Sequence, residues 1–145
     1  MKILEITVYG RPQQKGSKKA FIDPKTGHAR LKDDNDKAMA WQDAIRAVAG
    51  DEYKGELIRG PVEVSATFMF VRPKNHYRTG KYADQLKANV PYFRISKPDT
   101  DKIVRTVLDG LKGIVYADDS QVQLGPCKKI YGERDAAIIR VETLY

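Results

Sequence analysis

The sequence predicts an α+β domain in which one mixed or antiparallel sheet carries two helices. Residues 2–9 and 61–71 alternate apolar and polar side chains, as half-buried strands do. Two further segments, starting near Asp33 or Asp34 and near Thr100, repeat apolar residues at helical spacing. The order along the chain is strand, hairpin, helix, strand, helix, strand, strand, which indicates this class.

In the first strand Leu4, Ile6 and Val8 form the apolar face, and Gly10 with Pro12 ends it. Residues 10–20 are basic and hold few large apolar side chains, so an exposed arm is expected. Residues 21–31 read as a short hairpin. Its Asp23-Pro24-Lys25-Thr26-Gly27 centre has turn chemistry, with Pro24 fixing φ and Gly27 free to take positive φ. In the first helix Ala38, Trp41, Ala44, Ile45 and Val48 recur at helical spacing, acidic residues suit its start, and Gly50 is the expected stop. Trp41 is read as its anchor on the sheet.

Val62, Val64, Ala66, Phe68 and Phe70 share one face of the next strand, placed near the centre of the fold. Residues 73–97 break the periodicity with Pro73, Gly80, Pro91 and the aromatics Tyr77, Tyr82, Tyr92 and Phe93. A loop of this length in a compact domain points to function or disorder. Its aromatics either stack on unpaired bases or pin the loop to the body. The second helix spans about 100–112, with Ile103, Val104, Val107, Leu108 and Leu111 as its stripe and Gly113 as its stop. A turn at 117–120, a strand at 121–131, a turn at 132–134 and a last strand at 135–143 complete the chain.

The 145 residues fit one domain, 1–145, with a globular 41% hydrophobic content. No apolar run is long enough to span a bilayer and no signal peptide opens the chain, so a soluble cytoplasmic protein is expected. The one cysteine, Cys127, excludes an internal disulfide. Neither it nor the separated His28 and His76 makes a zinc-type set, and Cys127 reads as a small strand residue.

Net charge is +7, and its distribution says more than its total. Residues 10–32 hold seven basic side chains against Asp23, and residues 71–97 hold seven against Asp84. Two such segments suggest a polyanionic partner, nucleic acid, whose phosphates release counterions when neutralised. Solvated loops are the plainer reading. The side chains expected on DNA are Arg11, Lys15, Lys18, Lys19, Lys74, Arg78, Lys97 and Lys102.

The chemistry concentrates in residues 97–122. Pro98 disfavours helix at Lys97, which puts Asp99 at the helix start and Asp101 in its first turn. Within a regular helix, carboxylates two residues apart do not share a face. At a helix start they can converge. If the Asp118-Asp119 turn folds back over that start, three carboxylates meet. An all-oxygen set without His or Cys suits Mg²⁺, or Mn²⁺ in its place, which activates water and stabilises charge on a phosphate. Otherwise Asp99 caps a helix and Asp118-Asp119 is a polar turn.

Lys97-Pro98-Asp99-x-Asp101, then Leu108-Asp109-Gly110-Leu111, then Asp118-Asp119-Ser120-Gln121-Val122 resembles the core motif of the RusA family of Holliday-junction resolvases. The first strand followed by Gly10-Arg11-Pro12 resembles that family's opening. The resemblance covers most of the chain and is sharp at 97–122. It implies a homodimeric, Mg²⁺-dependent endodeoxyribonuclease acting on four-way junctions in DNA recombination and repair. It implies Asp99, Asp101 and Asp119 as catalytic metal ligands. Asp118 is expected at the rim of the site, and Asp109 as a residue that positions the helix.

The family commonly reads Asp-x-Asp-Asn-Leu-x-Lys, with that Lys assisting catalysis. Here Lys102 stands in the Asn place and Arg105 in the Lys place. Arg105 is a candidate for contact with the scissile phosphate, although it cannot readily give up a proton. An ion pair with Asp101 is its other reading. The expected reaction is phosphodiester hydrolysis leaving a 5′-phosphate and a 3′-hydroxyl. The alternatives are a branched-DNA-binding protein without catalysis and a nuclease acting on flaps or forks.

Overall fold

Strand β1 (Lys2–Tyr9) buries Leu4, Ile6 and Val8 and exposes the residues between them, as period-2 alternation requires. The structure, a computed structural model, describes residues 1–16, 18–33 and 36–145, with the side chains of 18–20 and 30–33 outside the description. Strands β2 (Lys18–Ile22) and β3 (Ala29–Asp33) form a two-stranded sheet of their own, closed by a turn in which Gly27 takes φ 71°. Helix α1 (Asp36–Glu52) follows. Asp33 ends β3 and does not start the helix, and Asp34 lies outside the described residues.

Strand β4 (Val62–Val71), helix α2 (Thr100–Leu111), strand β5 (Val122–Gly132) and strand β6 (Ala136–Thr143) complete the order. The main sheet runs β1-β6-β4-β5. Its β1–β6 and β6–β4 pairs are antiparallel and its β4–β5 pair is parallel. The architecture is therefore α+β with a mixed sheet, as the sequence predicts. The last strand, β6, sits between β1 and β4, so the first and last segments of the chain pair closely. Pro126 lies on edge strand β5 where the register shifts, a place where a missing N–H costs least.

Both helices cover one face of the sheet. Trp41, Ile45 and Ala49 of α1 and Ile103, Val107 and Leu111 of α2 join Ile6, Val8, Phe68, Phe70 and Ile139 in one core. The helices meet closely at Gly110, where a Cβ would lie 2.8 Å from Ile45 Cγ2, which is why a glycine stands inside α2. Arg46 of α1 donates to the carbonyls of Asp109 (3.1 Å), Gly110 (3.4 Å) and Lys112 (2.9 Å), serving carbonyls that the end of α2 leaves without helical partners. Gly113 follows at φ 80°. The opposite face of the sheet, with Tyr9, Met69 and Ile138, carries no helix among the described residues.

Within the stretch expected as an exposed arm, Gly10 and Arg11 are exposed but residues 12–16 are buried or half-buried. Pro12 is buried, Gln13 O accepts from the buried Thr106 hydroxyl at 3.0 Å, and Lys15 N–H donates to Lys102 O at 3.2 Å. The buried Thr106 hydroxyl also lies 3.2 Å from Lys102 O of its own helix, and the passing backbone gives it a second, closer acceptor. Within 73–97 the structure has two short 3-10 turns, at Lys74–His76 and Gly80–Tyr82, rather than continuous loop. The end of this segment runs along the free edge of β5, with Arg94 N–H on Lys129 O (2.9 Å) and Tyr131 N–H on Tyr92 O (3.0 Å).

Candidate nuclease site along helix α2

Helix α2 starts where Pro98 forces it to. Asp99, at φ −69° and ψ 135°, is the residue just before it, and its N–H donates to Gln14 Oε1 at 2.8 Å. Its side chain caps no helical N–H. Instead Oδ1 accepts from Lys97 Nζ at 2.8 Å and Oδ2 lies 3.5 Å from Lys102 Nζ. The Lys97 hydrogen bond, aided by Lys102, holds the Asp99 carboxyl below its usual range. Lys129 reaches in from β5, donating to Ser96 O and Pro98 O at 2.7 Å each, and so fixes the turn that presents Asp99. Burial and the charge of Arg94 push the Lys129 ammonium down.

Asp101 and Arg105 are both exposed one turn apart on α2, and no ion pair joins them. Neither makes a side-chain hydrogen bond among the described residues. Asp109 continues the same face another turn on. There it pairs with Lys15 at 3.0 Å, whose Nζ also donates to Gln42 Oε1 at 2.7 Å.

The Asp118-Asp119 turn lands against the C-terminal half of α2. Tyr116, fully buried, donates its hydroxyl to Leu108 O at 2.8 Å, and Lys112 pairs with Asp118 at 3.1 Å. Asp118 caps the short turn at Asp119–Gln121, accepting from the Ser120 N–H (3.0 Å) and hydroxyl (2.6 Å). Those bonds, with Lys112, hold its carboxyl far below the usual range. Asp119 is different. Its Oδ1 is buried without a hydrogen-bond partner, and burial, then the adjacent Asp109, push its carboxyl up. Burial and the nearby carboxylates Asp119, Asp109 and Asp118 likewise drive the Tyr116 phenol upward.

The structure therefore gathers Asp99 and Asp101 at the start of α2 and sets Asp119 beside Asp109 near its end. Asp101 and Asp109 stand eight residues apart on α2, about 12 Å along a helix axis at ~1.5 Å per residue. Among the described residues no three His, Cys, Asp or Glu side chains stand together at metal-binding spacing. The donors still fit a hard cation. All are oxygen, Asp119 buries an oxygen that nothing serves, and it faces a second carboxylate at the negative end of a helix dipole.

A raised carboxyl has a stability consequence. Between the ordinary value of 3.8 and its raised value, folded Asp119 binds more proton than the unfolded chain does, so stability falls as pH rises through that window. In chelator-treated protein, Asp119→Asn is expected to be more stable than wild type at pH 7. The gain is expected to fade as pH falls below the ordinary carboxylate value. Urea titrations at pH 7 and pH 3.5 check this, and a variant weaker than wild type at pH 7 would contradict it.

The basic residues divide. Arg11 lies over Phe70 at 5.3 Å, and Arg78 stacks on Tyr82 at 4.2 Å and donates to Gln85 Oε1. Lys74 is exposed. Lys15, Lys97 and Lys102 are engaged with Asp109 and Asp99. Lys18 and Lys19 fall in β2, with side chains outside the described ones. Of the loop aromatics, Tyr82, Tyr92 and Phe93 remain exposed, the last two edge to face at 4.9 Å. Cys127 is a half-buried strand residue whose thiol burial pushes up. Periodicity carries no sign of Gln14, Arg46 or Lys129, because each acts on backbone atoms remote in sequence.

The family model described as endodeoxyribonuclease RusA matches residues 5–142. An uncharacterized protein of Bacillus subtilis (strain 168), YqaN, is 31% identical over 134 residues, covering 92% of this chain and 91% of that protein. No helix among the described residues is long and apolar enough to cross a membrane.

Proposed function

Because the chain belongs to the RusA endodeoxyribonuclease family, we propose that it is a Mg²⁺-dependent endonuclease that resolves four-way DNA junctions by paired hydrolysis of opposite strands. The observation that carries the reading is the face of α2 on which Asp101 and Arg105 stand exposed, one turn apart and without side-chain partners among the described residues. A carboxylate and a guanidinium left unspent at the surface suit a cation and a phosphate.

Asp99, Asp101 and Asp119 are the residues that the family resemblance assigns to Mg²⁺, or Mn²⁺ in its place. Of these, Asp99 and Asp101 would hold a cation at the start of α2, while Asp119 lies beside Asp109, about 12 Å along the helix from Asp101, and would hold a cation at that end. When bound, the cation supplies Lewis acidity toward water and the phosphoryl oxygens. Arg105 binds a phosphoryl oxygen and offsets its growing charge. It moves no proton at neutral pH. Lys97 and Lys102 hold Asp99 ionised, and Lys129 holds the turn before it.

A four-way junction presents two symmetric scissile strands, which a two-fold dimer matches. One end of the sheet face opposite the helices, where Tyr9 is 64% and Ile138 38% exposed beside Met69, offers an apolar patch for that contact, while the other end carries Glu5, Glu63, Arg140 and Glu142. A cytoplasmic location goes with this substrate. The second reading, binding of branched DNA without cleavage, is favoured by Arg105 where the family commonly has Lys. Flap or fork cleavage uses the same chemistry.

The test incubates purified protein with a synthetic four-way junction, a flap, a fork and linear duplex, with and without Mg²⁺ or Mn²⁺. Paired metal-dependent nicks on opposite strands of the junction are the expected result. Tight binding without cleavage in either metal leaves the binding reading, and preference for the flap or fork replaces the junction.

A further inference from the structure

The end of β4 and the loop that follows it bring together arginines that have no acidic partner among the described residues. The Arg94 guanidinium lies 4.8 Å from the Phe70 ring centroid and 5.7 Å from that of Tyr131. Arg72 lies 5.2 Å from Tyr131, and His76 closes on the same ring edge-on at 4.9 Å. Arg11 adds a third guanidinium over Phe70. None of these arginines forms an ion pair among the described residues. Lys97 and Lys129 add to the same positive region.

The rings and nearby carbonyls hold the two loop arginines in place. Arg94 donates Nε to Lys97 O at 2.8 Å, and Arg72 donates Nη1 to Pro91 O at 2.7 Å. Arg72 Nη1 also lies 3.4 Å from His76 Nδ1, which leaves Nε and Nη2 of Arg72 and both Nη groups of Arg94 without an acceptor among the described residues. Pinning the loop alone would need the stacking but not the charge. Asp99 answers Lys97 and Lys129 but pairs with none of the three arginines, and guanidiniums crowded in this way are favoured when an anion joins them. A planar guanidinium already immobilised on a ring loses little entropy when it takes a phosphate through two parallel N–H bonds.

Position ties this group to the site. Arg94 precedes Asp99 by five residues, its segment is hydrogen-bonded along β5, and Lys129 of that strand holds the Ser96 and Pro98 carbonyls. We propose that Arg72 and Arg94 form a seat for DNA backbone phosphates beside the start of α2, gripping the strand that leads to Asp99 and Asp101. This rests on the DNA-cleaving reading above, and it assigns to two arginines a role that their place in a basic loop does not specify.

The experiment measures binding of a labelled four-way junction by fluorescence anisotropy across a salt series in EDTA, where nothing is cut. It compares wild type, the pair Arg72→Gln with Arg94→Gln, and the pair Arg72→Lys with Arg94→Lys. Each phosphate contact contributes about 0.9 to the slope of log K against log salt. The glutamine pair is expected to flatten the slope by roughly 1.8, and the lysine pair to keep the slope while binding less tightly. If the glutamine pair fails to fold, Arg72→Gln alone reads a change of about 0.9. An unchanged slope with lowered thermal stability in both pairs is the signature of loop pinning and overturns the seat alone. Wild type that binds no DNA overturns the seat and the proposed function together.

Discussion

Asp101→Asn is expected to lower metal-dependent junction cleavage by about 100-fold or more, the scale of removing one cation ligand worth several kcal/mol in the transition state. Junction binding in EDTA is expected to stay within about threefold, because the substitution removes no phosphate contact. This position isolates the chemistry better than its neighbours do. Asp101 is exposed and makes no hydrogen bond or ion pair among the described residues, so the amide disturbs no contact in the folded protein. Asp99→Asn would also release Lys97 and Lys102, and Asp119→Asn changes stability by itself. Single-turnover cleavage with Mg²⁺ is the measurement. A variant that cuts at near the wild-type rate removes Asp101 from the cation site.

The second large effect is on the fold. Phe68 is fully buried in the middle of β4, paired across to Ala137 of β6 and to Lys129 of β5, with its ring 6.2 Å from that of Trp41. Phe68→Ala removes a ring at the point where α1 meets the sheet, and the closely packed neighbours cannot close the space. The expected cost is about 3–5 kcal/mol, a large part of the ~5–15 kcal/mol available to an ordinary domain. Urea unfolding followed by the fluorescence of Trp41, the single tryptophan, reads it directly. A loss below about 1 kcal/mol would mean that this part of the core collapses freely around the gap.

Arg105 links chemistry to fold. Its i,i+4 spacing from Asp101 allows an ion pair, and the structure makes none. The guanidinium is thus unpaired among the described residues, as its proposed phosphate contact requires. If junction cleavage is found, it proceeds without the lysine that commonly stands at this place, and proton transfer there must be borne by water.

The alternation in β1 and β4 determined both strands and their buried faces, because side-chain direction in a strand depends only on parity. The apolar spacing of α2 and the Pro98 before it determined that helix to within a residue, since both act within a turn or two. The residue types at 97–122 determined an all-oxygen chemistry. Where those oxygens meet was decided by tertiary structure. The Asp118-Asp119 turn packs on the end of α2 beside Asp109 and not over its start, because Tyr116 is buried there and Lys112 draws Asp118. The basic residues after Tyr9 have the composition of an arm, yet Pro12, Gln14 and Lys15 pack along α2, where Thr106 and the Asp99 N–H need acceptors. Pattern fixes what a segment is over a few residues. Which distant segment satisfies its buried polar groups and crowds its charges depends on strand order, and that order places β6 between β1 and β4 only once the whole chain has folded.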